Sequence, residues 1–178
     1  MQDKFEVERR ARTTLEVVCD YSIECLICAD KPDLQDTTHS YGIEVVEDCY
    51  SNEPTSEISS EQIRKLEKLG GSIAEENGVI ARAALGTTVD SPEHLISTIK
   101  KKVEKLNSGG YKSFSKYGLY VFVNTVSLFD SYVLSVIEVI AEYQIGKAYV
   151  YETVYLDGGY EICICNMKQR SFVRKPIG

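Results

Sequence analysis

The sequence predicts an α/β (α+β) domain: a mixed β-sheet flanked by helices. Three observations predict it. Segments with helical apolar spacing are interleaved with short apolar segments of strand character. One of these, GLYVFVNT at 118–125, is apolar on both faces, as a central strand requires. The length and composition fit one globular domain spanning 1–178: of 178 residues, 43% are hydrophobic and 26% charged, enough to bury a core without staples.

The elements follow in order. Residues 5–19 read as a helix, with Ala11, Leu15 and Val18 on one face and Glu8 at the N-terminal end of that face. SIECLICA, 22–29, reads as a strand. Lys31-Pro32 interrupts regularity, because proline pushes its predecessor out of the helical region. Residues 33–36 are a short extended piece, 37–40 a polar turn, and YGIEVVE, 41–47, a second clear strand. The result is a hairpin with carboxylates on both arms. Residues 49–58 read as loop, and Ser59-x-x-Gln62 opens a helix that ends at Gly70-Gly71. The stretch 72–90 carries the weakest pattern and reads as including a short helix. Ser91-Pro92-Glu93 starts a helix that runs to about Leu106, with Ser91 as its cap. Asp130 caps another, through about Tyr143, which turns Val133, Val136, Ile137 and Ile140 inward. Strands at 148–156 and 160–166 are joined by Asp157-Gly158-Gly159, and a basic tail follows from Lys168.

Composition also excludes. No run approaches the roughly 18 apolar residues that span a bilayer, so no membrane partner is expected. MQDKFEVERRAR is charged and unlike a secretory signal. The six cysteines then read as reduced thiols in a cytoplasmic protein. Cys25 and Cys28, three apart on a strand, point to opposite faces and do not form a zinc pair. Cys163 and Cys165 share a face and read as buried thiols. The net charge of −7 argues against a purely electrostatic grip on nucleic acid. That charge is divided, however. Residues 20–67 hold twelve acids against three bases, whereas 100–116 hold six lysines against Glu104. An acidic cluster able to hold a cation thus precedes a basic strip able to meet phosphate. Tyr111 and Tyr117 beside that strip are candidates to stack on bases.

The chemistry concentrates in Pro32-Asp33 and Gly42-Ile43-Glu44-Val45. Glu44 stands in an otherwise apolar strand, where a charged residue needs a partner. Two carboxylates from adjacent strands can converge on one magnesium ion, which prefers hard oxygen ligands. Pro-Asp, a short gap, then Gly-Ile-Glu-Val in a strand resembles the core of the PD-(D/E)XK nucleases, the restriction-endonuclease-like fold. That superfamily's αβββαβ order is similar to residues 5–124, with the last helix and hairpin as extensions. The resemblance implies that Asp33 and Glu44 are metal ligands for Mg²⁺ or Mn²⁺, and that an acid of the first helix, here Glu8, joins them. The family's motif lysine would stand two residues after the glutamate, where this chain has Val46. Some members supply it from the following helix. On the helix after Pro92, Lys102 borders the apolar face of Leu95, Ile99 and Leu106, whereas Lys101 and Lys105 point further toward solvent; Lys102 is the first choice and Lys105 the second. The expected catalytic set is therefore Asp33, Glu44 and Lys102. Lys101, Lys105, Lys112 and Lys116 are the expected contacts to nucleic acid.

The expected function is metal-dependent hydrolysis of phosphodiester bonds. The alternative is an inactive member of the same fold that engages a protein partner, which Val46 and the net acidity favour.

Overall fold

A computed structural model of the chain describes residues 3–19, 26–38, 40–48, 72–76, 79–83, 92–123 and 128–178. It divides into two compact units: 1–48 with 92–178, and 49–91.

In the larger unit, α1 spans Lys4–Val18, α2 Glu93–Asn107 and α3 Asp130–Tyr143. Its strands are β1 (Leu26–Cys28), β2 (Leu34–Asp36), β3 (Tyr41–Asp48), β6 (Lys116–Val123), β7 (Tyr151–Asp157), β8 (Glu161–Asn166) and β9 (Ser171–Pro176). These seven form one mixed sheet in the order β1-β2-β3-β6-β7-β8-β9. β3, β6 and β7 run parallel, and the other neighbours pair antiparallel. The architecture is thus mixed α/β, as expected. No helix among the described residues is long and apolar enough to cross a membrane.

Helices cover both faces of the sheet, and the period-two alternation of the strands sorts the core accordingly. On one face Val7, Ala11, Leu15 and Val18 of α1 pack with Leu34, Ile43, Val45, Tyr120, Phe122 and Tyr155. On the other, α2 and α3 pack against Leu119, Val121, Val123, Val154 and Leu156. β6 is buried on both faces, the property that its apolar run predicted. Cys163 and Cys165 are buried in the second of these clusters.

Several boundaries differ from the sequence reading. Asp130 is the first helical residue of α3 and not its cap. Phe129 holds the cap position, and the Asp130 carboxylate instead binds Arg174 at 2.6 Å. Pro92 stands at the cap of α2 with no side-chain hydrogen bond, and Ser91 lies outside the described residues. β9 was hidden in the basic tail. Arg174, which binds Glu161 and Asp130, ties it to β8 and to the start of α3. The segment 22–25, the turn residue His39 and the helix expected after Ser59 lie outside the described residues.

In the smaller unit the described residues are β4 (Ser72–Glu76) and β5 (Val79–Ala83), paired antiparallel with Glu76 opposite Val79. Asn77-Gly78 between the strands is the two-residue signal for such a connection. The rest of the stretch expected to include a short helix, 84–90, lies outside the described residues.

Candidate active site

The site forms where β2 begins and β3 has just started. The β2–β3 register pairs Leu34 with Ile43 and Gln35 with Gly42. Continued by one residue, it sets Asp33 across from Glu44. The backbone before Asp33 is held closely. Lys31-Pro32 is a cis peptide, and buried Gln35 donates its amide to the carbonyls of Asp30 (3.2 Å) and Pro32 (2.9 Å). Gly42 makes this possible. A Cβ at that position would lie 2.4 Å from Cγ of Pro32, so any larger residue would push the Pro32-Asp33 segment away. The glycine of the motif therefore serves the aspartate.

Asp33 is 5% exposed. Its Oδ2 accepts a hydrogen bond from the Val45 amide at 2.9 Å, which satisfies a strand donor beyond the end of β2 pairing. Its Oδ1 lies 3.2 Å from the Lys4 ammonium. That ammonium is also 3.5 Å from Oε1 of Glu8, one turn further along α1, and 3.7 Å from Asp30. Glu8 is 2% exposed, and its Oε2 is buried with no hydrogen-bond partner. Burial and then the neighbouring Asp33 charge push the Glu8 carboxyl above its ordinary value, with Lys4 opposing them.

Glu44 faces α2. It is 3% exposed. Its Oε1 accepts hydrogen bonds from Lys102 (2.8 Å) and Lys105 (3.4 Å). Burial works against its charge. Lys102 outweighs that, with Tyr111 and Lys105 adding, and the carboxyl is held below its ordinary value. Lys102 is the more enclosed of the two lysines, at 21% side-chain exposure against 51% for Lys105. Helical spacing had placed Lys105 further toward solvent, yet its long stem reaches the same oxygen.

The structure thus brings Glu8, Asp33 and Lys4 together, and Glu44, Lys102 and Lys105 together, across the junction of β2 and β3. Lys101 does not join them. It is exposed and lines a groove with Glu93, Lys100, Glu104, Val139 and Tyr143. Lys112 and Lys116 are exposed beside the motif segment. The Lys112 amide donates to the Lys31 carbonyl at 3.4 Å, and that of Lys116 to the Ser40 carbonyl at 3.0 Å. Tyr117 is not available to stack on a base. It is 5% exposed, its hydroxyl binds the Lys112 carbonyl and the Phe114 amide, and Phe114 and Tyr149 contact its ring edge-on. Asp36 locks the turn through Ser40 and Thr38.

Two residues gain a place that sequence reasoning did not give them. The Tyr111 hydroxyl is buried beside Glu44 and favours the ionised form of that carboxyl. Burial, and next the Glu44 charge, push its phenol far above the ordinary value, while Lys105 sits over its ring at 5.5 Å. Asp48 is the other. Four residues beyond Glu44 it shares that face of β3, is 2% exposed, and accepts from Thr98 at 3.0 Å with His94 Nδ1 at 2.8 Å. Its signal was the i, i+4 alternation with Glu44, matched on α2 by His94, Thr98 and Lys102 at successive turns.

As the side chains stand, no three His, Cys, Asp or Glu residues among the described ones are grouped closely enough to hold a metal ion. The donor set nonetheless fits a hard cation. Glu8 and Asp33 already share one positive charge, that of Lys4, and one buried Glu8 oxygen has no partner. Cys25 lies outside the described residues, and Cys28 is exposed on β1. No protein-family model, curated protein or solved structure matches the chain.

Proposed function

We propose that this chain is a divalent-metal-dependent nuclease-like domain of restriction-endonuclease-like fold that hydrolyses phosphodiester bonds of nucleic acid. The observation that carries the reading is the pair of buried carboxylates Glu8 and Asp33 on one shared ammonium, with buried Glu44, bound to Lys102, across the β2–β3 junction. Two buried carboxylates share a single, largely exposed ammonium, and one Glu8 oxygen has no partner, an arrangement that a divalent cation would satisfy more fully. The αβββαβ order of the larger unit and the motif on β2–β3 agree with it.

In this reading Glu8 and Asp33 hold Mg²⁺ or Mn²⁺, with Glu44 as the further ligand. The bound ion would supply Lewis acidity toward the phosphodiester and make its coordinated water more acidic. Lys102 takes the role that Val46 cannot. Its ammonium, anchored at 2.8 Å on Glu44, stands where it can neutralise charge that develops on phosphate. The Tyr111 hydroxyl borders the same place and favours the ionised form of Glu44. Lys105, Lys112 and Lys116 offer phosphate contacts around the site.

The test is cleavage of DNA and RNA with Mg²⁺ or Mn²⁺. Wild type should cleave, and Lys102→Ala should lose rate by about 10²–10³. Lys101→Ala should retain the rate. Wild-type protein that binds Mn²⁺ but cleaves neither nucleic acid would replace the enzyme reading with that of a non-catalytic binding module.

A further inference from the structure

We propose that Lys4 is a tethered counter-cation that competes with a divalent ion for the Glu8–Asp33 pair, and so sets the metal concentration at which the site fills. The inference rests on the metal-centre reading and deepens it.

The geometry is that of an occupant and not of a surface ion pair. One ammonium lies within 4 Å of three carboxylates: 3.2 Å from Asp33, 3.5 Å from Glu8 and 3.7 Å from Asp30. The two nearer side chains are 8% and 3% exposed, whereas Lys4 is 63% exposed. Two enclosed negative charges are therefore matched by one cation that still has an open path to water. The match is incomplete. Oε2 of Glu8 has no partner, and Oδ2 of Asp33 is taken by the Val45 amide. A divalent ion can use both oxygens of Glu8 together with Oδ1 of Asp33, which a single ammonium shared three ways does not.

The location of Lys4 supports the same conclusion. It is the first residue of α1, where the helix dipole disfavours a cation. The carboxylates, and not the helix, account for its position. Its exposed stem can swing into solvent without disturbing the core, so exchange for a metal ion needs no rearrangement of the fold.

The experiment is calorimetric titration of Mn²⁺ into the full chain as wild type, Lys4→Met and Lys4→Arg. Lys4→Met keeps most of the stem and removes the charge. It should bind Mn²⁺ on the order of tenfold more tightly, the scale of one partly exposed ion pair. Lys4→Arg should remain within a few-fold of wild type. Mn²⁺ should also raise the unfolding temperature of Lys4→Met more than that of wild type, and Lys4→Gln should repeat both results. Equal or weaker Mn²⁺ binding by Lys4→Met would overturn the role of Lys4 and leave the metal centre standing. Absence of Mn²⁺ binding in every variant would overturn both.

Discussion

Replacing Lys102 by methionine removes the closer of the two cations on Glu44 while keeping an apolar stem beside Leu95 and Ile99. Glu44 is 3% exposed, so its charge has little water to fall back on. Removing one partner of a buried pair typically costs about 3–5 kcal/mol. Here Lys105 remains at 3.4 Å but is half-exposed, and it recovers part of that. The expected loss is therefore about 2 kcal/mol at pH 7. In urea that moves the midpoint by about 1 M for a slope near 2 kcal/mol/M. The sign with pH follows from Glu44. Its folded-state value is held below the ordinary 4.5, so the stability it contributes is present above 4.5 and is lost as pH falls through the lowered value. The gap between wild type and Lys102→Met should be full at pH 7 and narrow as pH drops below 4.5. Adding Glu44→Gln to Lys102→Met should return much of the loss, as a double-mutant cycle for a coupled pair requires. A gap of the same size at pH 7 and pH 3, or a coupling energy near zero, would show that Lys102 acts through the packing of its stem.

Glu8→Gln should stabilise the protein at pH 7, by up to about 1 kcal/mol for a single unfavourably buried charge. The Glu8 carboxyl is pushed above its ordinary 4.5, so its charge destabilises the fold above that value. The gain should shrink as pH falls to 4.5, and thermal unfolding across pH reads it. Gly42→Ala should destabilise by about 2 kcal/mol or more, because its methyl would overlap the ring of Pro32, and Mn²⁺ affinity measured on the folded fraction should fall with the displacement of Asp33. Lys112→Ala with Lys116→Ala should weaken nucleic-acid binding uniformly across sequences and lower the salt slope by about 1 for each lysine that meets a phosphate. Filter binding at several salt concentrations measures it.

The sheet and its helices were legible because their signals are local. Ala11, Leu15 and Val18, or Val133, Val136, Ile137 and Ile140, repeat at helical spacing, and all are buried. Glu44 was legible as an anomaly, an acid in an apolar strand. What stayed hidden depends on long-range packing. Lys4 meets Asp33 only because α1 crosses the start of β2, and nothing in the order of residues records that crossing. β9 reads as a basic tail because Arg174 and Lys175 are paired by distant groups, the carboxylates of Glu161 and Asp130 and the carbonyl of Val18. Tyr117 lies beside lysines in sequence, but its ring is enclosed by Phe114 and Tyr149, the latter supplied by the approach to β7.

The two glutamates of the site are driven in opposite directions by the two layers that supply them. α1 offers Glu8 burial, the nearby Asp33 charge and one shared ammonium, and its carboxyl rises. α2 offers Glu44 two ammonium groups on one oxygen, and its carboxyl falls in spite of equal burial. The two environments thus push the carboxyls apart, Glu44 toward its ionised form and Glu8 toward its protonated form. Asp33 sits between them, fixed by the Val45 amide on one oxygen and open to cations on the other. In the proposed nuclease reading, Val46 is less of a loss than it looks. Its side chain packs with the α2-side core, and the cation missing from β3 is returned to the same Glu44 by the helix that packs above it. On that reading, a charge carried by the helix instead of the strand would still stand where it can act on a phosphate.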